Sequence, residues 1–130
     1  NDVPVLDDNR VSFTKGMFHE TSEYWINWLK EESQKNKNII IHIDSDLFGS
    51  ALYALLNVAQ CCDNFYVIFD ELLGDECRAL YAFTKAIPTK ISVISSGARS
   101  YNKITREITQ RSVCFLINTN LKTYPENFII

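Results

Sequence analysis

A chain of 130 residues, 46% hydrophobic and 22% charged, carries enough apolar material for one core and reads as a single domain over residues 1–130. Its net charge is −3, and its thirteen Lys and Arg are scattered, which excludes the basic stripe that a nucleic-acid partner requires. No apolar run approaches the roughly 20 residues that cross a bilayer, and no signal-peptide pattern opens the chain, so no membrane partner is expected.

The chain opens on Asn1 rather than Met, and a tag, a targeting segment or a preceding part of the protein is expected to have been removed. The first ten residues, with Asp2, Asp7 and Asp8, read as a polar lead-in. Val11 to Phe13 is a short β-prone piece that ends in a turn at Lys15-Gly16. Thr21 or Ser22 is then expected to cap a helix running to about Gln34, since each offers a side-chain oxygen to an orphan N–H. Trp25, Trp28 and Leu29, with Tyr24 beside them, form its core stripe. Lys35-Asn36-Lys37-Asn38 closes the helix with cations near its negative end.

Ile39 to Ile43 is short, continuous and β-branched, which suits a strand buried on both faces, and it runs into Asp44-Ser45-Asp46. A helix follows Gly49-Ser50, with Leu52, Leu55, Leu56 and Ala59 on one side. Phe65 to Phe69 is a second buried-type strand, and it too ends in acids, Asp70-Glu71. Gly74-Asp75 opens a third helix with Leu80, Phe83 and Ile87 inward, stopped by Pro88. Ile91 to Ile94 and Val113 to Ile117 are the last strands, and the polar stretch between them, with Gly97, Arg99, Arg106 and Arg111, reads as a loop or short helix. Strands alternating with helices at this spacing predict an α/β fold, a mostly parallel sheet flanked by helices, with the first two strands as parallel neighbours.

The chemistry gathers where the carboxylates fall. Ligands of an open parallel sheet bind outside the carboxyl ends of its strands, and two successive strands here end in acids. Neighbouring strands lie about 4.8 Å apart, so these acids converge and repel unless a cation stands between them. Hard oxygen donors favour Mg²⁺, Ca²⁺ or Mn²⁺, and without a His or Cys set zinc is not expected. His42, inside the first strand, reads as a hydrogen-bonded core residue, and His19 stands at a helix entrance, nearer to a site. Cys61, Cys62, Cys77 and Cys114 make no Cys-x-x-Cys spacing and read as reduced, small hydrophobes of a cytoplasmic protein. A phosphate loop, a Gly-x-Ser-x-Gly elbow and a Gly-x-Gly-x-x-Gly fingerprint are all missing: Gly16, Gly49, Gly74 and Gly97 are isolated.

Three pieces taken together resemble the macrocin O-methyltransferase family of class I methyltransferases, which act on sugar hydroxyls of antibiotics and related metabolites. They are Lys15-Gly16-Met17-Phe18 followed by Thr21; Ile41-His42-Ile43-Asp44-Ser45-Asp46-Leu47-Phe48 with Ser50; and Val67-Ile68-Phe69-Asp70-Glu71. Cys77-Arg78-Ala79 with Phe83 fits the helix that follows. The likeness covers roughly Val11 to Ala86. It implies a truncated Rossmann-like methyltransferase fold, with S-adenosylmethionine as cofactor and a small-molecule hydroxyl as substrate. It further implies a divalent metal, Mg²⁺ by preference, held by Asp44, Asp70 and Glu71, and Asp46 as general base. The N-terminal half of that fold, which carries the cofactor loop, is not in this sequence, so no cofactor-binding residue is assigned and the sheet lacks its first two strands. Such a sheet exposes an edge, through which a homo-oligomer can form. The competing readings are a non-catalytic half-fold acting as a binding or assembly module and, more weakly, a phosphatase-like metal hydrolase, in which Asp-x-Asp also follows a strand.

Overall fold

The computed structural model describes residues 3–35, 38–101, 103–104 and 108–119. Helix α1 covers Phe18–Gln34, β1 Ile40–Ile43, α2 Phe48–Cys61, β2 Asn64–Phe69, α3 Asp75–Ala86, β3 Thr89–Tyr101 and β4 Ile108–Thr119. The fold is α/β: among the described residues, three helices and one four-stranded mixed sheet in the order β1-β2-β4-β3.

Local sequence explains the helices. The buried residues of α2 are Ala51, Leu55, Val58 and Ala59, and those of α3 are Glu76, Ala79, Leu80 and Phe83, each set an amphipathic stripe at helical spacing. In α1 the stripe is Thr21, Trp25 and Leu29: Thr21 and Leu29 are buried and Trp25 packs on the core. Trp28, expected in that stripe, is 56% exposed, because it lies off the i, i+4, i+8 line. The helix also starts earlier than expected. Met17 is its N-cap, its N–H donating to Glu20 Oε2 at 3.0 Å, while Thr21 Oγ1 turns back to the Met17 carbonyl at 3.1 Å. Val11–Phe13 is not a strand, and Asn36 and Lys37 lie outside the described residues.

The sheet corrects the expectation of a mostly parallel arrangement. β1 and β2 are parallel neighbours as expected, but β4 lies between β2 and β3 and runs antiparallel to both. Only residues 102–107 join β3 to β4, and a parallel return needs a crossover of about a dozen residues or more. Gly97, Arg99 and Arg111 of the polar stretch expected as a loop or short helix instead lie in the lengthened strands of this hairpin, with register shifts at Val93/Ser95, Ala98/Ser100 and Ser100/Tyr101, and Arg106 lies outside the described residues.

One face of the sheet supplies the core. Phe65, Val67 and Phe69 of β2 and Val113, Phe115 and Ile117 of β4 are buried in one cluster with Leu29, Leu55 and Phe83 of the helices. The alternate residues Tyr66, Ile68, Cys114 and Leu116 are only half-buried, and Ile40 is 63% exposed. Among the described residues this second face therefore lacks the cover a doubly wound sheet would have, and His42 lies out of the core: its side chain is 55% exposed.

Candidate functional site

The ends of β1 and β2 are level. Ile43 pairs with Phe69, and the Asp70 N–H donates to the Ile43 carbonyl at 3.0 Å, so the chain leaves both strands at one rim. From β1 it leaves as Asp44-Ser45-Asp46, with both aspartates exposed. Asp46 has a φ of +52°, a left-handed backbone that Asp tolerates better than most residues, and this bend feeds the chain into α2. From β2 it leaves as Asp70, 9% exposed, and Glu71, half-buried. The Ser112 hydroxyl donates to the Asp70 carbonyl at 2.8 Å, pinning the end of β2 to β4. His42 Nε2 stands 3.7 Å from Asp70 Oδ1, so the strand histidine faces the rim acid instead of the core.

Gly74, with φ +58°, turns the chain from the β2 end into α3, whose first turn holds Asp75 and Glu76 where the helix dipole favours carboxylates. Glu76 was not singled out by its sequence context. It is 2% exposed, and its Oε1 accepts the Ser45 N–H at 3.2 Å. The backbone N–H groups of Glu71 and Asp46 also favour its charged form, yet burial outweighs them and, with the Asp46 charge beside it, pushes its carboxyl above the ordinary value. The signal that would have found it is spacing: Glu76 occupies the first position of the stripe Glu76, Ala79, Leu80, Phe83, where an apolar residue is expected. Arg78, one turn along, pairs with Asp75 at 3.0 Å and lies 5.6 Å over the Phe48 ring, tying the start of α3 to the start of α2.

A cleft of about 180 Å³ adjoins the rim where α1 and α2 begin, lined by Met17, Phe18, His19, Gly49, Ser50 and Tyr53. His19 is thus next to the first turn of α2, which follows directly on Asp46. A larger cleft of about 530 Å³ lies at the other end of the strands, among Ser33, Asn38, Cys62, Asp63 and Asn118. Among its lining residues Asp63 is the one acid, and the cleft sits off the carboxyl ends of β1 and β2. Burial pushes the Cys61 and Cys62 thiols up, and Cys77 is exposed rather than buried.

As a donor set the rim suits a hard cation: Asp44, Asp70 and Glu71 offer only oxygen, on adjacent backbones. Their side chains are not closed around a point. Among the described residues, no group of three or more His, Cys, Asp or Glu is gathered closely enough to hold an ion. No family profile, curated protein or solved structure matches this chain.

Proposed function

We propose that this chain is the acidic, substrate-facing part of a metal-assisted O-methyltransferase that resembles the macrocin family and acts on the hydroxyl of a sugar or another small molecule. One observation carries the reading: β1 and β2 are parallel neighbours of matched register, and both end in acids at the same rim. The Gly16–Phe18 segment supports it, because its Met17 and Phe18 line a cleft with Gly49 and Ser50, so two of the three resembling pieces stand side by side.

In this reading the exposed Asp46 carboxylate takes the proton of the substrate hydroxyl, and its exposure lets a ligand reach it. Asp44, Asp70 and Glu71 are the residues that would hold the divalent cation, which would supply Lewis-acid polarisation of that hydroxyl. Asp70 is held by its backbone bonds to Ile43 and Ser112, so β2 fixes one ligand while the β1 turn presents the other acids. No residue of this chain is assigned to S-adenosylmethionine. Gly74 caps α3 after β2 and Gly49 lies in the first turn of α2 after β1, and neither has a second glycine beside it.

Calorimetric titration with Mg²⁺ and with S-adenosylhomocysteine tests the proposal. Residues 1–130 should take up Mg²⁺ and bind S-adenosylhomocysteine weakly or not at all. A chain extended by a cofactor-binding half should bind it and turn over, and Asp46→Asn should then lower the rate more than the affinity. Micromolar S-adenosylhomocysteine binding by residues 1–130 alone would overturn the assignment of the cofactor to sequence outside this chain.

A second reading, an assembly module, is favoured by a different observation. No strand among the described residues pairs with the outer edge of β1, and Ile40 beside it is 63% exposed. Light scattering across a concentration series separates the two: a stable oligomer lost on Ile40→Lys, with no cation uptake, favours the module.

A further inference from the structure

Glu76 joins the two acid-bearing turns of the rim, which are distant from each other in sequence. Its own helix, α3, begins just beyond the β2 turn, and its Oε1 accepts the N–H of Ser45, 31 residues away in the β1 turn. The N–H groups of Asp46 and Glu71 act on the same carboxylate, one from each acid-bearing turn. Burial is nearly complete, at 2% exposure. Capping of its own helix does not account for the side chain, because Oε1 is turned to Ser45; among the described residues Oε2 and the buried Ser45 Oγ find no hydrogen-bond partner. A buried polar atom left unsatisfied is destabilising. An apolar residue in the stripe would avoid burying a polar group altogether but would leave the Ser45 N–H without its acceptor, so the side chain serves a role that packing does not supply.

We propose that Glu76 is the positioning residue of the rim: its carboxylate sets the Asp44–Asp46 turn against the Asp70–Glu71 turn so that the exposed acids meet one divalent cation. The proposal rests on the reading of the rim as a cation site. Glu76 acts through the turns and is not itself a ligand. Gln at this position keeps an oxygen for the Ser45 N–H, whereas Ala removes it.

The test uses ¹⁵N-labelled residues 1–130 as wild type, Glu76→Gln and Glu76→Ala. Amide hydrogen exchange is read at Ser45, with Val67 in the core as the fold control, and Mn²⁺ is titrated as the probe. Loss of one such bond, about 1.4 kcal/mol at its upper end, should speed Ser45 exchange about tenfold in Glu76→Ala. The same variant should bind Mn²⁺ about tenfold more weakly, while Glu76→Gln stays near wild type in both measurements. Should Glu76→Ala not fold, Glu76→Asp, one methylene too short to reach Ser45, takes its place with the same expectation. Unchanged Ser45 exchange in the Ala or Asp variant overturns the proposal. So does an equal loss of Mn²⁺ affinity in Glu76→Gln, which would make Glu76 a ligand. A wild-type protein whose rim amides ignore Mn²⁺ sinks the cation reading instead, and Ser45 exchange still decides whether Glu76 holds the turns.

Discussion

Phe69 is the last residue of β2, fully buried, and the acids of the β2 turn leave directly from it. Replacing it with Ala should destabilise the fold by about 3–5 kcal/mol, the lost transfer energy plus the cavity left behind. A domain of this size holds about 5–15 kcal/mol in all, so the variant is much weakened yet still within reach of a folding assay. A finer perturbation isolates one interaction. Phe69 meets Phe115 edge-on, with ring centroids 6.2 Å apart and planes at 74°, an arrangement worth about 0.5–1.5 kcal/mol beyond area burial. Urea unfolding of Phe69→Leu, Phe115→Leu and the double variant should return a coupling of about that size. The effect should also reach the rim. Ile43 and Phe69 are register partners, and the Asp70 N–H is bonded to the Ile43 carbonyl, so exchange of the Asp70 amide should speed up in Phe69→Ala. A coupling within the roughly 0.3 kcal/mol of ordinary additivity, together with an unchanged Asp70 amide, would refute the claim that this ring pair anchors the rim.

Further outcomes follow from single residues. In metal-free buffer, burial raises the Glu76 carboxyl above its ordinary 4.5, so the folded protein holds that proton more tightly than the unfolded chain. Its contribution is fully present below the unfolded value and is lost as pH rises through the folded one. The unfolding free energy of wild type relative to Glu76→Gln should therefore fall as pH rises past the ordinary carboxyl value; a rise would show the sign to be wrong. A brief pulse of iodoacetamide on the native protein should label exposed Cys77 well before buried Cys62, whose thiol is pushed up by burial; peptide mass spectrometry reads the order, and equal labelling would contradict it. Gly16 has a φ of +150°, and a Cβ there would lie 2.8 Å from Thr21 Cγ2. Gly16→Ala should cost about 1–3 kcal/mol in thermal or urea unfolding, and a neutral substitution would mean that the start of α1 yields freely.

Short-range pattern determined most of the elements. The apolar runs of β1 and β2, the stripe of α3 and the stop at Pro88 were legible, because each is set by neighbours within a turn or a strand. In α2 Leu55 and Ala59 are buried as expected, while Leu52 and Leu56 are half-buried and Ala51 and Val58 take the core side. The level acid pairs were legible for the same reason: one crossover makes β1 and β2 parallel neighbours, and their lengths bring Asp44 and Asp70 out together. Tertiary structure decided the rest. An alternating strand pattern carries no direction, so the antiparallel insertion of β4 between β2 and β3 depends on the shortness of the connection and on pairing across the sheet. Nor does the pattern say which face goes uncovered, and that is why His42 turned out exposed beside Asp70 instead of buried. Glu76 is the sharpest case. A carboxylate in the first turn of a helix is ordinary on dipole grounds, and only the packing of α3 under the Ser45 turn makes it a buried acceptor for a backbone group 31 residues away.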